Sequence, residues 1–173
     1  MHRSAIAIRR EAERLLKAAG ITRAPISLRD VVSFLNLSLV ERRREPFGSE
    51  AALVPLGDGH AIELHGASGE RRLRFTIAHE IGHFLLHPGR VVSERGGAAN
   101  HATARLEHEA DLFAAELLMP EHLVRQAVLE DGPDVRRLAD RFDVSAQAMS
   151  LRLRRLGLAE RHSDLLPPSH GVV

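Results

Sequence analysis

The chain has 173 residues, enough for one domain with a real hydrophobic core and at most a small appendage. Apolar residues make up 44% and charged residues 27%, and a net charge of +1 gives the whole molecule no strong pull on nucleic acid or membrane. With no cysteine, disulfides, thiolate ligands and a cysteine nucleophile are excluded, so a metal would have to be held by His, Asp and Glu.

The first element is an amphipathic helix over Ser4–Ala19, with Ile8, Ala12, Leu15 and Leu16 on one face and Gly20 as its stop. A second helix follows Pro25, capped near Ser27, with Val31, Val32 and Leu35 inward. "LSLVERR" alternates like a strand, and "AALVPLGDGHAIELHG" reads as two strands around a turn at Gly57-Asp58-Gly59. A helix then runs from near Arg71 until Pro88 stops it. "GRVVSERGGAANHAT" is a polar, glycine-rich loop, and it leads into a long helix from about Thr103 to Met119. Further helices are expected over Glu121–Glu130, Asp134–Phe142 and Ser145–Leu156, before a Pro- and Ser-rich tail that reads as disordered. No signal peptide opens the chain and no stretch approaches the ~20 apolar residues of a membrane helix, so a cytoplasmic location is expected.

Within "FTIAHEIGHFLLHP", Phe75–Pro88, two histidines stand four residues apart with Glu80 directly after the first. Residues at that spacing share a helix face, so His79 and His83 can converge on one ion at about 2.0–2.1 Å, while Glu80 reaches a water beside it. In a chain with 11 histidines such a match arises by chance roughly 0.06 times, an ordinary false-positive risk for a short motif. Ile77, Ile81, Phe84 and Leu85 form the apolar side of the helix. Gly82 costs a helix about 1 kcal/mol against alanine, which makes sense if another element or a substrate passes close to the backbone there. A catalytic zinc needs a third protein ligand. In "RLEHEADLFAAELLMP", Glu107, Ala110, Asp111 and Ala114 lie on one helical stripe, offering one carboxylate for the metal and another to orient a ligand histidine.

Taken together, "RRLRFTIAHEIGHFLLH" and "LEHEADLFAAELLMP" resemble the ImmA/IrrE family of bacterial metallopeptidases, over roughly residues 5–156. The resemblance implies His79 and His83 as ligands, Glu80 as catalytic base and Glu107 as third ligand, with zinc, or manganese in its place. It also implies an α+β fold: a zincin-like peptidase domain (1–130) with a small mixed or antiparallel sheet packed on helices. A helix-turn-helix-like helical segment (131–160) and the disordered tail (161–173) complete the expected organisation. The implied task is endoproteolysis of an intracellular protein, a helix-turn-helix repressor or antitoxin. IrrE-like members carry a further C-terminal sensor domain, and the chain ends before one, so no sensing role is expected within it.

Glu107 and Glu109 point about two hundred degrees apart on a helix, so only one can face the metal. Glu107 shares its face with the small residues Ala110 and Ala114 and with Asp111, whereas Glu109 sits with Leu112, Phe113 and Glu116. Glu107 is therefore the expected ligand, Asp111 the acceptor for a ligand histidine, and Glu109 a bystander. The oxyanion partner is left open among His87, His101, His108, Arg72 and Arg74. By likeness to zincins the strand His60–His65 (His60, Ala61, Ile62, Glu63, Leu64, His65) is expected at the sheet edge, where a peptide could add as an extra strand.

"VRRLADRFDVSAQAMSLRLRRLGLAE" carries the second reading. Its apolar set Leu138, Ala139, Phe142, Val144, Met149, Leu153 and Leu156 would close a helix pair, and residues 134–161 hold seven Arg against four acids. The alternative function is thus a DNA-binding regulator that uses Arg152, Arg154 and Arg155, with the clamp domain as metal sensor or inactive relic.

Overall fold

A computed structural model describes residues 3–42, 50–65, 69–88 and 101–159. In chain order these form α1 (Ala5–Ala18), α2 (Leu28–Phe34), β1 (Leu37–Glu41), β2 (Ala51–Leu56), β3 (Gly59–Leu64), α3 (Glu70–Leu86), α4 (His101–Leu118), α5 (Glu121–Asp131), α6 (Val135–Phe142) and α7 (Ala146–Arg155). Most of the glycine-rich loop and the C-terminal tail lie outside the described residues. The long helix begins at His101, slightly before its expected start. Among the described residues no helix is long and apolar enough to cross a membrane.

Local chemistry accounts for the boundaries. Ser4, Ser27, Asp134 and Ser145 each accept a bond from a backbone N–H of the first helical turn, supplying acceptors that helix starts lack. Gly57, at φ 58°, supplies the left-handed position that a two-residue hairpin turn asks of its first central residue. The apolar face of α1 is Ile8, Ala12, Leu15 and Leu16, all buried, as the periodicity predicts.

The sheet order is β1-β3-β2, with β1 parallel and β2 antiparallel to β3. The architecture is therefore α+β with a small mixed sheet, but the expected edge strand is misplaced. His60 to Leu64 pair with Leu37 to Glu41 on one side and with Ala51 to Pro55 on the other. The physical reason is visible in the burial. Ala61, Ile62, Glu63 and Leu64 are buried consecutively, the mark of a central strand covered on both faces. The edge beside α3 belongs to β2 instead.

One hydrophobic cluster joins α1, α2, the sheet and α3 to α4, and it includes Leu138, Phe142, Met149 and Leu153 of the last two helices. Arg9 of α1 pairs with Glu121 of α5. Arg74 of α3 donates to the carbonyls of Ile26 (2.9 Å) and Asp143 (3.1 Å), tying three segments together.

Candidate metal centre

Helices α3 and α4 pack through small residues. Ala78, Ala110 and Ala114 are fully buried, and a Cβ on Gly82 would stand 3.1 Å from Ala110 Cα. The glycine is thus explained by a neighbouring helix that passes against the backbone. This close approach brings the two halves of the clamp together across the seam.

His79 Nε2 lies 3.2 Å from Glu107 Oε2, and His83 Nε2 lies 3.3 Å from Glu107 Oε1. The two Nε2 atoms are 2.9 Å apart, and the candidate ligand atoms of His79, His83 and Glu107 all fall within 4.8 Å of one another. Ligand atoms about 2.0–2.1 Å from a tetrahedral ion stand roughly 3.3 Å apart, so these side chains fit a small divalent metal. His79 Nδ1 meets Asp111 Oδ1 at 2.9 Å, a pairing that puts the proton on Nδ1 and turns the Nε2 lone pair inward. Burial works against a charged His79, but Asp111, with Glu80 and Glu107, outweighs it and raises its pKa above the ordinary histidine value. Burial pushes His83 the other way, reinforced by His79 and His87, down to about 3. A neutral imidazole is the form a metal takes.

Glu80 stands on the same helix, and its Oε2 accepts a 3.0 Å hydrogen bond from the backbone N–H of Leu53 in β2. Hydrogen-bonded pairs alternate along an antiparallel ladder, and His65 N–H donates to Glu50 O at 2.8 Å, so Leu53 turns its backbone groups away from β3. A sequence carries no sign of such a backbone donor, and the side-chain reading missed it. A groove of about 550 Å³ opens beside Asp111, with Phe75, Leu112, Ala115 and Leu151 in its walls and His108 at its side.

His60 and Glu63 of the misassigned strand sit elsewhere. The exposed His60 ring meets Phe84 edge-on at 5.5 Å, and Glu63 is held by Arg42 (2.9 Å) and His65 (3.4 Å). Of the residues left open for the oxyanion, Arg74 is committed to Ile26 and Asp143, and Arg72 to Glu50 at 2.8 Å. The His101 side chain lies outside the described residues. His87 is behind the centre: its Nδ1 is 3.1 Å from His83 Nδ1 and its Nε2 is 3.3 Å from Glu109 Oε2.

Glu109 stays outside the ligand cluster, as expected, yet it is not on the surface. It is 2% exposed, packed against His87 just past the end of α3 and the Arg3 backbone ahead of α1. The signal that could have found the pair is the continued spacing His79, His83, His87, a third histidine one further turn along the same stripe.

In the last two helices, Arg152 is 4% exposed and clamps Glu116 through two bonds of 2.7 and 2.5 Å, and it also donates to Met119 O. One of the three arginines of the DNA-binding reading is thus turned into the core.

Residues 32–154 match the Peptidase_M78 family model, described as the IrrE N-terminal-like domain. Over 95 residues the chain is 29% identical to metallopeptidase ImmA of Bacillus subtilis, covering 54% of this chain and 56% of that protein. Over 115 residues it is 33% identical to the radiation response metalloprotease IrrE of Deinococcus radiodurans, covering 58% of this chain and 35% of that protein. A Mycobacterium tuberculosis structure titled transcriptional regulator shares the fold at a TM-score of 0.65 and 18% identity, over 84% of this chain and 46% of that one.

Proposed function

We propose, from the premise that the chain belongs to the Peptidase_M78 family of IrrE N-terminal-like domains, that it is a metal-dependent endopeptidase. The observation that carries this reading is the convergence of His79 Nε2, His83 Nε2 and the Glu107 carboxylate across the α3–α4 seam, with Glu80 alongside. Both curated relatives are named as metallopeptidases, and the chain spans 56% and 35% of their lengths.

His79, His83 and Glu107 hold the ion, zinc or manganese. When bound, the ion supplies a Lewis acid for the scissile carbonyl and lowers the pKa of water. Glu80 takes the proton from the attacking water and hands it to the leaving amine. The Leu53 N–H, 3.0 Å from Glu80 Oε2, keeps that carboxylate aimed until substrate arrives. Substrate adds as a strand on the outer edge of β2, gaining main-chain hydrogen bonds with little demand on its side chains. The apolar walls of the groove beside Asp111 receive a side chain of that peptide.

The substrate is a cytoplasmic protein, a helix-turn-helix repressor or antitoxin. The test is to incubate purified protein, loaded with zinc or manganese, with the helix-turn-helix proteins encoded beside its gene. Cleavage by the native chain and none by Glu80→Gln is the expected result. If none is cut, and Glu80→Gln has no effect in the cell, the peptidase reading fails.

A further inference from the structure

Two of the three acids that α4 brings to this region already have an office: Glu107 toward the metal, and Asp111 toward His79. Glu109 faces the other side of the helix yet ends 2% exposed, which is a costly place for a carboxylate without a purpose. Its Oε2 lies 3.3 Å from His87 Nε2, and its Oε1 lies 3.4 Å from the Arg3 backbone N–H and 3.9 Å from Arg105 Nε.

The proton positions then follow from pairing alone. Glu109 Oε1 accepts from the Arg3 N–H and Oε2 faces the ring, so His87 donates its Nε2–H to Oε2. With that proton on Nε2, His87 offers Nδ1 as an acceptor 3.1 Å from His83 Nδ1. His83 must donate there, so its own proton sits on Nδ1 and its Nε2 lone pair is left for the metal. His83 and His87 are 5% and 6% exposed, so water offers little competition for these bonds.

We propose that Glu109 and His87 form a two-step relay that fixes the tautomer and ring orientation of His83. Asp111 does the same for His79 in one step. The two are positioning residues, acting on the metal only through His83. This inference rests on the metal-centre reading above, and its test is arranged so that the two can fail separately.

The measurement is zinc affinity of the full chain, by competition with a chromophoric chelator, beside thermal unfolding of the metal-free protein. Glu109→Gln keeps the shape but removes the acceptor charge, and it should weaken zinc binding by about 10–100-fold, as loss of an outer hydrogen-bond partner does. His87→Phe should weaken it similarly. The double variant should be no worse than either single one, because both act through one path. Glu109→Gln combined with Asp111→Asn should instead multiply the two losses, since those residues serve different histidines. If His87→Phe does not fold, His87→Gln takes its place; its amide can accept from His83 and donate to Glu109, so it should bind zinc more tightly than Glu109→Gln. Native zinc affinity in Glu109→Gln, or multiplied losses in the Glu109–His87 double variant, would overturn the relay alone. A native chain that binds no zinc would overturn the metal-centre reading and the relay with it.

Discussion

Gly82→Ala tests whether the α3–α4 contact sets the metal geometry. The added methyl would lie 3.1 Å from Ala110 Cα, 3.2 Å from Ala110 O and 3.2 Å from Phe113 Cδ1, where ordinary contact begins at 3.4 Å. Two of those atoms are backbone, so a whole helix must give by at least about 0.3 Å, on the scale where one added methylene is felt. In stability the change is nearly balanced. Alanine returns about 1 kcal/mol of helix propensity, and overpacking costs about 1–3 kcal/mol. Metal binding has no such compensation. Ligand distances hold to about ±0.2 Å, and the seam separates the two histidines from Glu107, so the same displacement exceeds the tolerance of the site. Zinc affinity should fall by roughly tenfold or more, the scale seen when ligand orientation is disturbed. Unfolding free energy should move by no more than about 2 kcal/mol. Chelator competition and denaturant titration of one preparation measure both. A variant that binds zinc like the native chain and unfolds later would refute the reasoning, because helices in contact there could not have absorbed the methyl.

Glu107→Ala should lose metal almost completely while Glu80→Gln stays loaded and inactive, which metal analysis beside a cleavage assay resolves. Leu53→Pro removes an N–H that points away from β3, a tolerated edge position for proline, so zinc affinity should persist while kcat/KM falls. Arg152→Ala leaves Glu116 half-buried without its partner and should cost about 3–5 kcal/mol in denaturant unfolding. A stable Arg152→Ala chain that has lost a salt-sensitive gel shift would instead favour the DNA-binding reading.

The helices were legible because their signals are local. Periodicity buries Ile8, Ala12, Leu15 and Leu16, and serine and aspartate caps open α1, α2, α6 and α7. The His79–Glu80–His83 spacing and the Glu107–Asp111 stripe were legible for the same reason, since each needs only the geometry of one helix. The sheet was not. Strand order is a property of partners distant in sequence, and the charged Glu63 breaks the apolar run that would have marked β3 as a strand buried on both faces. Glu109 is outside the ligand cluster, as its helix face predicts, but its burial is not legible in a helical wheel, which compares faces of α4 with α3 alone. His87, just past the end of α3, reaches Glu109 at 3.3 Å, a contact between residues distant in sequence.

The same geometry explains why three alternate acids can crowd one helix beside two histidines. Glu107 and Asp111 share one stripe of α4, a turn apart, while Glu109 between them points to the other side, so the three carboxylates meet different ring nitrogens. Each meets a different nitrogen or pair of nitrogens: Glu107 both Nε2 atoms, Asp111 the Nδ1 of His79, Glu109 the Nε2 of His87. Every imidazole proton in the centre is then spoken for by an acceptor on the side away from the metal. The lone pairs that remain, on His79 Nε2 and His83 Nε2, have only the space in front of Glu107 to point into. A site built this way has its ligand tautomers set by the fold before an ion arrives, which is the condition under which binding costs least reorganisation.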